Sequence, residues 1–287
     1  MMDWYRLEDV AKEGDLVELY ALKHTRFIFN LRKGEVFQSH RGMFRHDDLI
    51  GKPWGSQVKS HLGKPFLLLQ PSLSDVLLEI PRVTQVIYPK EVGFILINMG
   101  IGPGKQVLEA GTGSGGLTAA LAYSVGAEGH VTSYDARADI QKVAYENLKR
   151  LGLDVRVTLK LRDIREGFDE KNQDAVFLDV QNPHDYIYQV RGSLRAGGFF
   201  GCILPTANQV IRLLPVLREA HFGFIEICEI LLRYYKAEAE RFRPVDRMVA
   251  HTGFLVFSRL VNLPYDDEKA SENPREIGDE SVDQVLE

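Results

Sequence analysis

Residues 107–118 read VLEAGTGSGGLT, and their reading organises the rest of the chain. Val107–Ala110 has the composition of a short buried strand, and GGLTAALAYSV, from Gly115, has the apolar content of a helix. Between them Gly111, Gly113 and Gly116 match G-x-G-x-x-G. Glycines in that pattern permit a tight turn and let a ligand approach the backbone beside a helix N-terminus. Asp135 closes the next expected strand, HVTSYD, about 20 residues on, where a carboxylate can accept from both hydroxyls of a ribose. A lone glycine pattern is weak evidence. Strand, loop, helix and acid together point to an adenosine-containing cofactor.

Outward from the loop, strand and helix patterns alternate. Strand HVTSYD precedes helix RADIQKVAYENLKRLG, and strand VRVTLK follows. DAVFLDV precedes helix HDYIYQVRGSL, and GGFFGCILP precedes ANQVIRLLPVLREA. The expected fold class is α/β: a mostly parallel, doubly wound Rossmann-like sheet. Two final apolar runs, FIEICEILLRYY and GFLVFSRLV, have no helix-length pattern between them and predict an antiparallel edge hairpin. Before the sheet, short alternating runs cut by Gly and Pro predict a small N-terminal β domain. The expected organisation is a β-rich domain over 1–70, a linker and pocket segment over 71–90, the catalytic domain over 91–261, and an acidic, disordered tail over 262–287.

The net charge of −5 is uneven along the chain: 262–287 carry nine acids against two bases, whereas 20–64 carry nine bases against three acids. The tail has too little apolar content to order itself, and the basic N-terminal region suits a polyanion. No run approaches the roughly 20 apolar residues of a membrane span, and the first residues lack the basic-then-apolar pattern of a secretory signal, so a cytoplasmic protein with no membrane association is expected. Cys202 and Cys228 lie in apolar runs without Cys or His at ligand spacing. They read as reduced core thiols, and no metal site is expected.

Three features favour S-adenosyl-L-methionine (S-adenosylmethionine) over a dinucleotide. Glu109, two residues before the first glycine, would face a methionine ammonium favourably and a pyrophosphate unfavourably. Asp163 follows the third strand, where it can accept from an adenine amino group or serve as a surface turn acid. The closing hairpin is the arrangement of S-adenosylmethionine-dependent methyltransferases, an analogy of fold. In FLDVQNP (177–183), Asp179 ends the apolar run of the fourth strand. It reads as a turn residue with Asn182 and Pro183, or as a ligand carboxylate at the carboxyl end of an open α/β sheet.

QVIYPKE (85–91), VLEAGTGSGGLT, SYDARAD (133–139), FLDVQNP and RMVAHTGFLVFSRL (247–260) together resemble the tRNA (adenine-58-N1)-methyltransferases, over about residues 60–261. The resemblance implies a small N-terminal β domain, a Rossmann-like catalytic domain, a homotetramer, and methylation of an adenine N1 in the T-loop of tRNA. It implies cofactor contacts at Ile87, Ser114, Gly115, Gly116, Leu117, Asp135 for the ribose and Asp163 for the adenine. It also implies a catalytic carboxylate at Asp179 and a pocket tyrosine at Tyr88. The chain departs from many members in having Asp rather than Glu at 135 and Gln181-Asn182 after Asp179.

Adenine N1 already has an in-plane lone pair, so the reaction needs position rather than a strong base. A carboxylate at 179 can accept from the exocyclic amino group and stabilise charge spreading over the base. For the tRNA backbone the candidates are Arg26, Arg32, Lys33, Arg41, Arg45, Arg241, Arg243 and Arg247. His251 is expected to be structural. Alternatives are a methyltransferase for another acceptor such as protein isoaspartate, a non-catalytic tRNA-binding subunit, and an NAD-dependent oxidoreductase. The last lacks a convincing proton donor.

Overall fold

The computed structural model describes residues 8–21 and 25–262; the acidic tail, from 263 on, lies outside the described residues. Two compact units are present. One comprises Met1–Leu96, Gly102–Gly104 and Thr112–Arg162, the other Ile97–Ile101, Lys105–Gly111 and Asp163–Glu287.

The first unit opens with β1 (Leu16–Ala21), β2 (Thr25–Asn30), β3 (Val36–Ser39), β4 (Gly42–Arg45), β5 (Gln57–Lys59) and β6 (Pro65–Leu69). They form an antiparallel sheet in the order β2-β1-β6-β5 and a separate β3-β4 hairpin. Because β1 is an inner strand covered on both faces, Leu16, Val17, Glu18 and Leu19 are buried in succession rather than in alternation. Val17 and Leu19 join Leu31, Phe44, Phe66 and Leu68 in the local core, against which Phe29 and Phe37 pack, stacked at 4.2 Å. His46 is buried beside Phe29, and its Nδ1 accepts the Arg32 N–H at 2.9 Å.

The segment 71–90 contains α1 (Leu73–Glu79) and the start of α2 (Pro89–Asn98). The first is set by a capping box: Ser72 Oγ accepts the Asp75 N–H at 3.1 Å, and the Ser72 N–H donates to the Asp75 carboxylate at 3.0 Å. Asp75 also pairs with Arg26, which lies 3.6 Å from the buried Glu18.

The alternating part of the chain yields β7 (Gln106–Ala110), α3 (Gly116–Val125), β8 (His130–Asp135), α4 (Ala138–Leu151), β9 (Val157–Leu161), β10 (Gln173–Leu178), α5 (Ile187–Ser193), β11 (Leu194–Leu204), α6 (Ala207–Glu219), β12 (Phe222–Cys228) and β13 (Phe254–Leu260). The strand order is β12-β13-β11-β10-β7-β8-β9. The pairs β7-β10, β10-β11 and β8-β9 are parallel, and β13 runs antiparallel to both β11 and β12, which bears out the α/β fold class with its antiparallel edge. Almost every residue of α3 is buried, as expected of a helix apolar all round. By contrast α4 buries only Ala144, Asn147, Leu148 and Leu151, a single stripe. No helix among the described residues is long and apolar enough to cross a membrane.

Element boundaries differ from the sequence reading at three places. Asp154–Arg156 form a 3-10 turn, so the third strand starts at Val157, after Gly152 has ended α4 in the left-handed region. The helix expected from His184 begins as a 3-10 turn over Pro183–Tyr186 and becomes α-helical at Ile187. The apolar run to Tyr235 is extended only as far as Cys228, opposite Leu255 near the start of β13. Beyond it there is no β13 ladder to pair with, and Leu231, Tyr234 and Tyr235 are exposed.

The His46 environment generates a pH dependence. Burial pulls its pKa below the ordinary histidine value, so the neutral ring is the form that the fold stabilises. That contribution is complete above about pH 6.5 and is lost as the pH falls from there towards the folded-state value. Chemical denaturation at pH 7.5 and 5.5 should therefore show a stability loss on acidification that is smaller in His46→Asn, whose side-chain oxygen can still accept from Arg32. Equal losses in both proteins would remove His46 as the cause.

Candidate cofactor and catalytic site

In the first unit the glycine loop is held from below by side chains. Thr112 Oγ1 bonds Ser133 Oγ at 2.7 Å, and both residues are buried. Ser114 Oγ accepts the Val83 N–H at 3.1 Å and bonds Thr84 Oγ1 at 3.1 Å, so this hydroxyl anchors the 83–84 segment. Gly115, at φ +81°, is the N-cap of α3, which begins at Gly116 with Leu117 buried behind it. No side chain caps that helix start, and a helix N-terminus is a place where backbone N–H groups can meet an anionic or polar ligand.

Asp135 ends β8 and is 6% exposed. Its carboxylate accepts from the Gly113 N–H at 3.1 Å and from the Arg137 N–H, Nε and Nη2 at 3.0, 3.0 and 3.1 Å. Burial acts to raise its pKa, but the hydrogen bonds from the Arg137 side chain and backbone and from Gly113 outweigh it and hold the carboxyl below its usual range. It is an ionised acceptor of the kind ribose hydroxyls require. It does not cap α4, whose N-cap is Arg137 with no side-chain cap. Ile87 and Tyr88 are half-buried, and the Tyr88 carbonyl accepts the Glu91 and Val92 N–H groups, each at 3.0 Å, at the start of α2. Pro89 at the first helical position fits there because its missing N–H is not needed.

The second unit holds the remaining carboxylates. Glu109 is 1% exposed in β7, in register with Phe177 of β10. Asp179 directly follows β10; its N–H donates to the Ala110 carbonyl at 2.8 Å, continuing the β7-β10 ladder by one bond, while the residue itself is exposed. A Cβ on Gly111, at φ +93°, would stand 2.1 Å from the Asp179 carbonyl oxygen. Behind it lies Cys202, whose thiol is pushed up first by burial and then by the Asp179 charge. The turn after Asp179 is fixed by Gln209 Nε2, which donates to the Gln181 carbonyl at 2.8 Å. Asp163 is the N-cap of a 3-10 turn and is gripped by Arg165 through its N–H and Nε, each at 2.9 Å, which holds the carboxyl below its usual range. His251 is engaged by Glu229 at 2.5 Å and the Pro205 carbonyl at 3.0 Å.

Each unit by itself carries groups that suit an adenosine cofactor with a charged amino-acid end: the first the ionised buried acid at 135, the second a Gly111 with no room for a Cβ and the buried Glu109 just before it. Thr112, Asn147 and Arg137, which support or occupy these groups, were not singled out by the sequence reading, because no motif spacing distinguishes a supporting side chain from an ordinary polar one.

The close approach at residue 111 is open to direct test. Gly111→Ala places a methyl group against a backbone oxygen at a left-handed position, a strain of about 2 kcal/mol or more. A lowered melting temperature and at least tenfold weaker S-adenosylmethionine binding by calorimetry are expected. Unchanged values for both would contradict the close approach.

A family model described as the tRNA methyltransferase complex GCD14 subunit matches residues 66–251, and one described as TrmI-like N-terminal matches residues 11–58. The tRNA (adenine(57)-N(1)/adenine(58)-N(1))-methyltransferase TrmI of Methanocaldococcus jannaschii is 34% identical over 76% of this chain and 86% of its own length. The tRNA (adenine(58)-N(1))-methyltransferase TrmI of Thermus thermophilus is 32% identical over 79% and 90%. Among solved structures, the tRNA (m1A58) methyltransferase TrmI of Aquifex aeolicus superposes with a TM-score of 0.75 at 36% identity, covering 89% of this chain and all of that one. A Thermotoga maritima protein described as a SAM-dependent O-methyltransferase superposes at 0.82 with 40% identity, covering 90% and 97%. With both family models matched and these relatives 34% and 32% identical, this chain belongs to the tRNA (adenine-58-N1)-methyltransferase family.

Proposed function

We propose that this protein transfers a methyl group from S-adenosylmethionine to N1 of the adenine at position 58, in the T-loop of tRNA. The observation that carries the reading is Asp179, set at the carboxyl end of β10 and held by its own backbone against Ala110 and Gly111, in a chain whose relatives methylate this atom. S-adenosylmethionine supplies an electrophilic methyl group on a sulfonium. Asp135 binds the ribose hydroxyls, taking them in place of the Arg137 guanidinium, and Asp163 accepts from the adenine amino group of the cofactor. Glu109 balances the ammonium charge. The backbone of Gly111, Gly113, Ser114, Gly115, Gly116 and Leu117 and the side chain of Ile87 complete the cofactor's surroundings.

Asp179 accepts from the N6 amino group of the target adenine. That hydrogen bond turns N1 towards the methyl donor and offsets the positive charge the base acquires as its N1–C bond forms. Tyr88 offers a ring for the base, which must leave its stack in folded tRNA to be reached. Of the cations nominated for the tRNA backbone, Lys33, Arg45, Arg241 and Arg247 are exposed, while Arg26 is taken by Asp75 and Arg243 by Asp246. A homotetramer in the cytoplasm belongs to the same reading. Exposed Leu231, Tyr234, Phe242 and Val249, between β12 and β13, support a face that another subunit covers.

A second reading, methyl transfer to a different acceptor, draws on the Thermotoga maritima neighbour described as an O-methyltransferase. A hydroxyl acceptor must lose a proton, whereas adenine N1 need not, so the two differ in what they ask of Asp179. Incubation with unmodified tRNA and labelled S-adenosylmethionine should place the label at N1 of adenine 58, and no label in tRNA would sink the proposal. Asp179→Ala should keep S-adenosylmethionine affinity and lose turnover by on the order of 10²–10³. Sedimentation at micromolar concentration should give four copies; a monomer would remove the tetramer.

A further inference from the structure

The one-sided helix α4 has cations beside its buried stripe. Lys142, Lys149 and Arg150 line a cleft of about 710 Å³ together with Arg32, against a single acid, Glu146. Asn147 forms part of the wall and fixes it to the glycine loop, donating through Nδ2 to the Ser114 carbonyl at 2.9 Å and to the Pro81 carbonyl at 2.8 Å. Arg150 is the unusual member. Its Nε and Nη2 are closed off from water and have no hydrogen-bond partner among the described residues. Burial alone lowers its pKa from the ordinary arginine value, with no carboxylate acting the other way. A sheltered, uncompensated guanidinium costs free energy until an anion completes it. Lys149 and Arg150 do sit in the last turn of α4, where the helix dipole favours cations, but the dipole acts equally on an exposed guanidinium and leaves the shelter unexplained.

We infer that this cleft is a phosphate site, in which Arg150, Lys142 and Lys149, with Arg32 from the turn between β2 and β3, hold a phosphodiester of the tRNA backbone. The inference rests on the tRNA reading above. Four cations against two acids, Glu146 at the cleft and Glu35 3.5 Å from Arg32, leave positive charge in excess, and a guanidinium fork matches two phosphate oxygens. To use its Nε and Nη2 edge, Arg150 must swing outward as the phosphate enters.

The test is tRNA affinity measured across a salt series for the full chain, with Arg150→Gln and the double variant Lys142→Glu/Lys149→Glu. Both lysines are exposed, so the double variant reads the site even where Arg150→Gln fails to fold. Affinity at physiological salt should fall on the order of tenfold, and the slope of log affinity against log salt should shrink by about one for each phosphate that is no longer neutralised. S-adenosylmethionine affinity by calorimetry should hold, and Arg150→Lys should recover part of the affinity. Wild-type affinity and slope in the folded variants would overturn the phosphate site while leaving tRNA methylation intact. A change in oligomeric mass without a change in tRNA affinity would also overturn it, assigning the cleft to a carboxylate of a second copy. Absence of tRNA binding by the unaltered protein would overturn both readings.

Discussion

The backbone of Asp179 occupies the space that a side chain on residue 111 would fill. Its carbonyl oxygen would be 2.1 Å from a Cβ there, and its N–H extends the β7-β10 ladder to Ala110. Only glycine fits, because φ is +93° and the approach is backbone to backbone. The glycine that opens the cofactor loop is therefore also the residue that lets the proposed catalytic carboxylate sit at the end of β10. A parallel strand pair brings the carboxyl ends of β7 and β10 side by side, and the missing methyl group lets them remain so beyond the last paired residues.

A comparable economy is seen in the first unit. Asp135 is gripped by Gly113 of the loop and by Arg137 two residues later, so this carboxylate orders the turn without a ligand. Ser114 turns its hydroxyl to Val83 and Thr84 and its carbonyl to Asn147 of α4. The loop is thereby tied to the segment leading to Tyr88 and to the helix bearing Arg150. Pre-formed hydrogen bonds of this kind reduce the ordering cost that a ligand must meet on binding.

Much of this was legible in the chain. The glycine spacing, the apolar runs and the acids ending successive strands are local patterns, and local patterns follow from backbone sterics and the alternation of apolar residues. The capping box of α1 was also present in PSLSDVLLEI, though that stretch reads more readily as a linker because the helix is only seven residues long. The run FIEICEILLRYY was less legible. Its apolar content is that of a strand throughout, but a strand exists only where a partner runs beside it, and the β13 ladder serves it no further than Cys228. Arg26 and Arg45 look alike in sequence, yet one is taken by Asp75 and the other is exposed.

Sequence alone was sufficient for the fold class, the glycine loop between strand and helix and the acids at strand ends, since each depends on residue types at fixed spacing along one stretch of chain. Tertiary structure was needed for the partners: Arg137 on Asp135, the Asp179 carbonyl against Gly111, and the sheltered Arg150 at its cleft. Pairing, shelter and close approach are properties of residues brought together by packing, and nothing in their spacing along the chain encodes the distance between them.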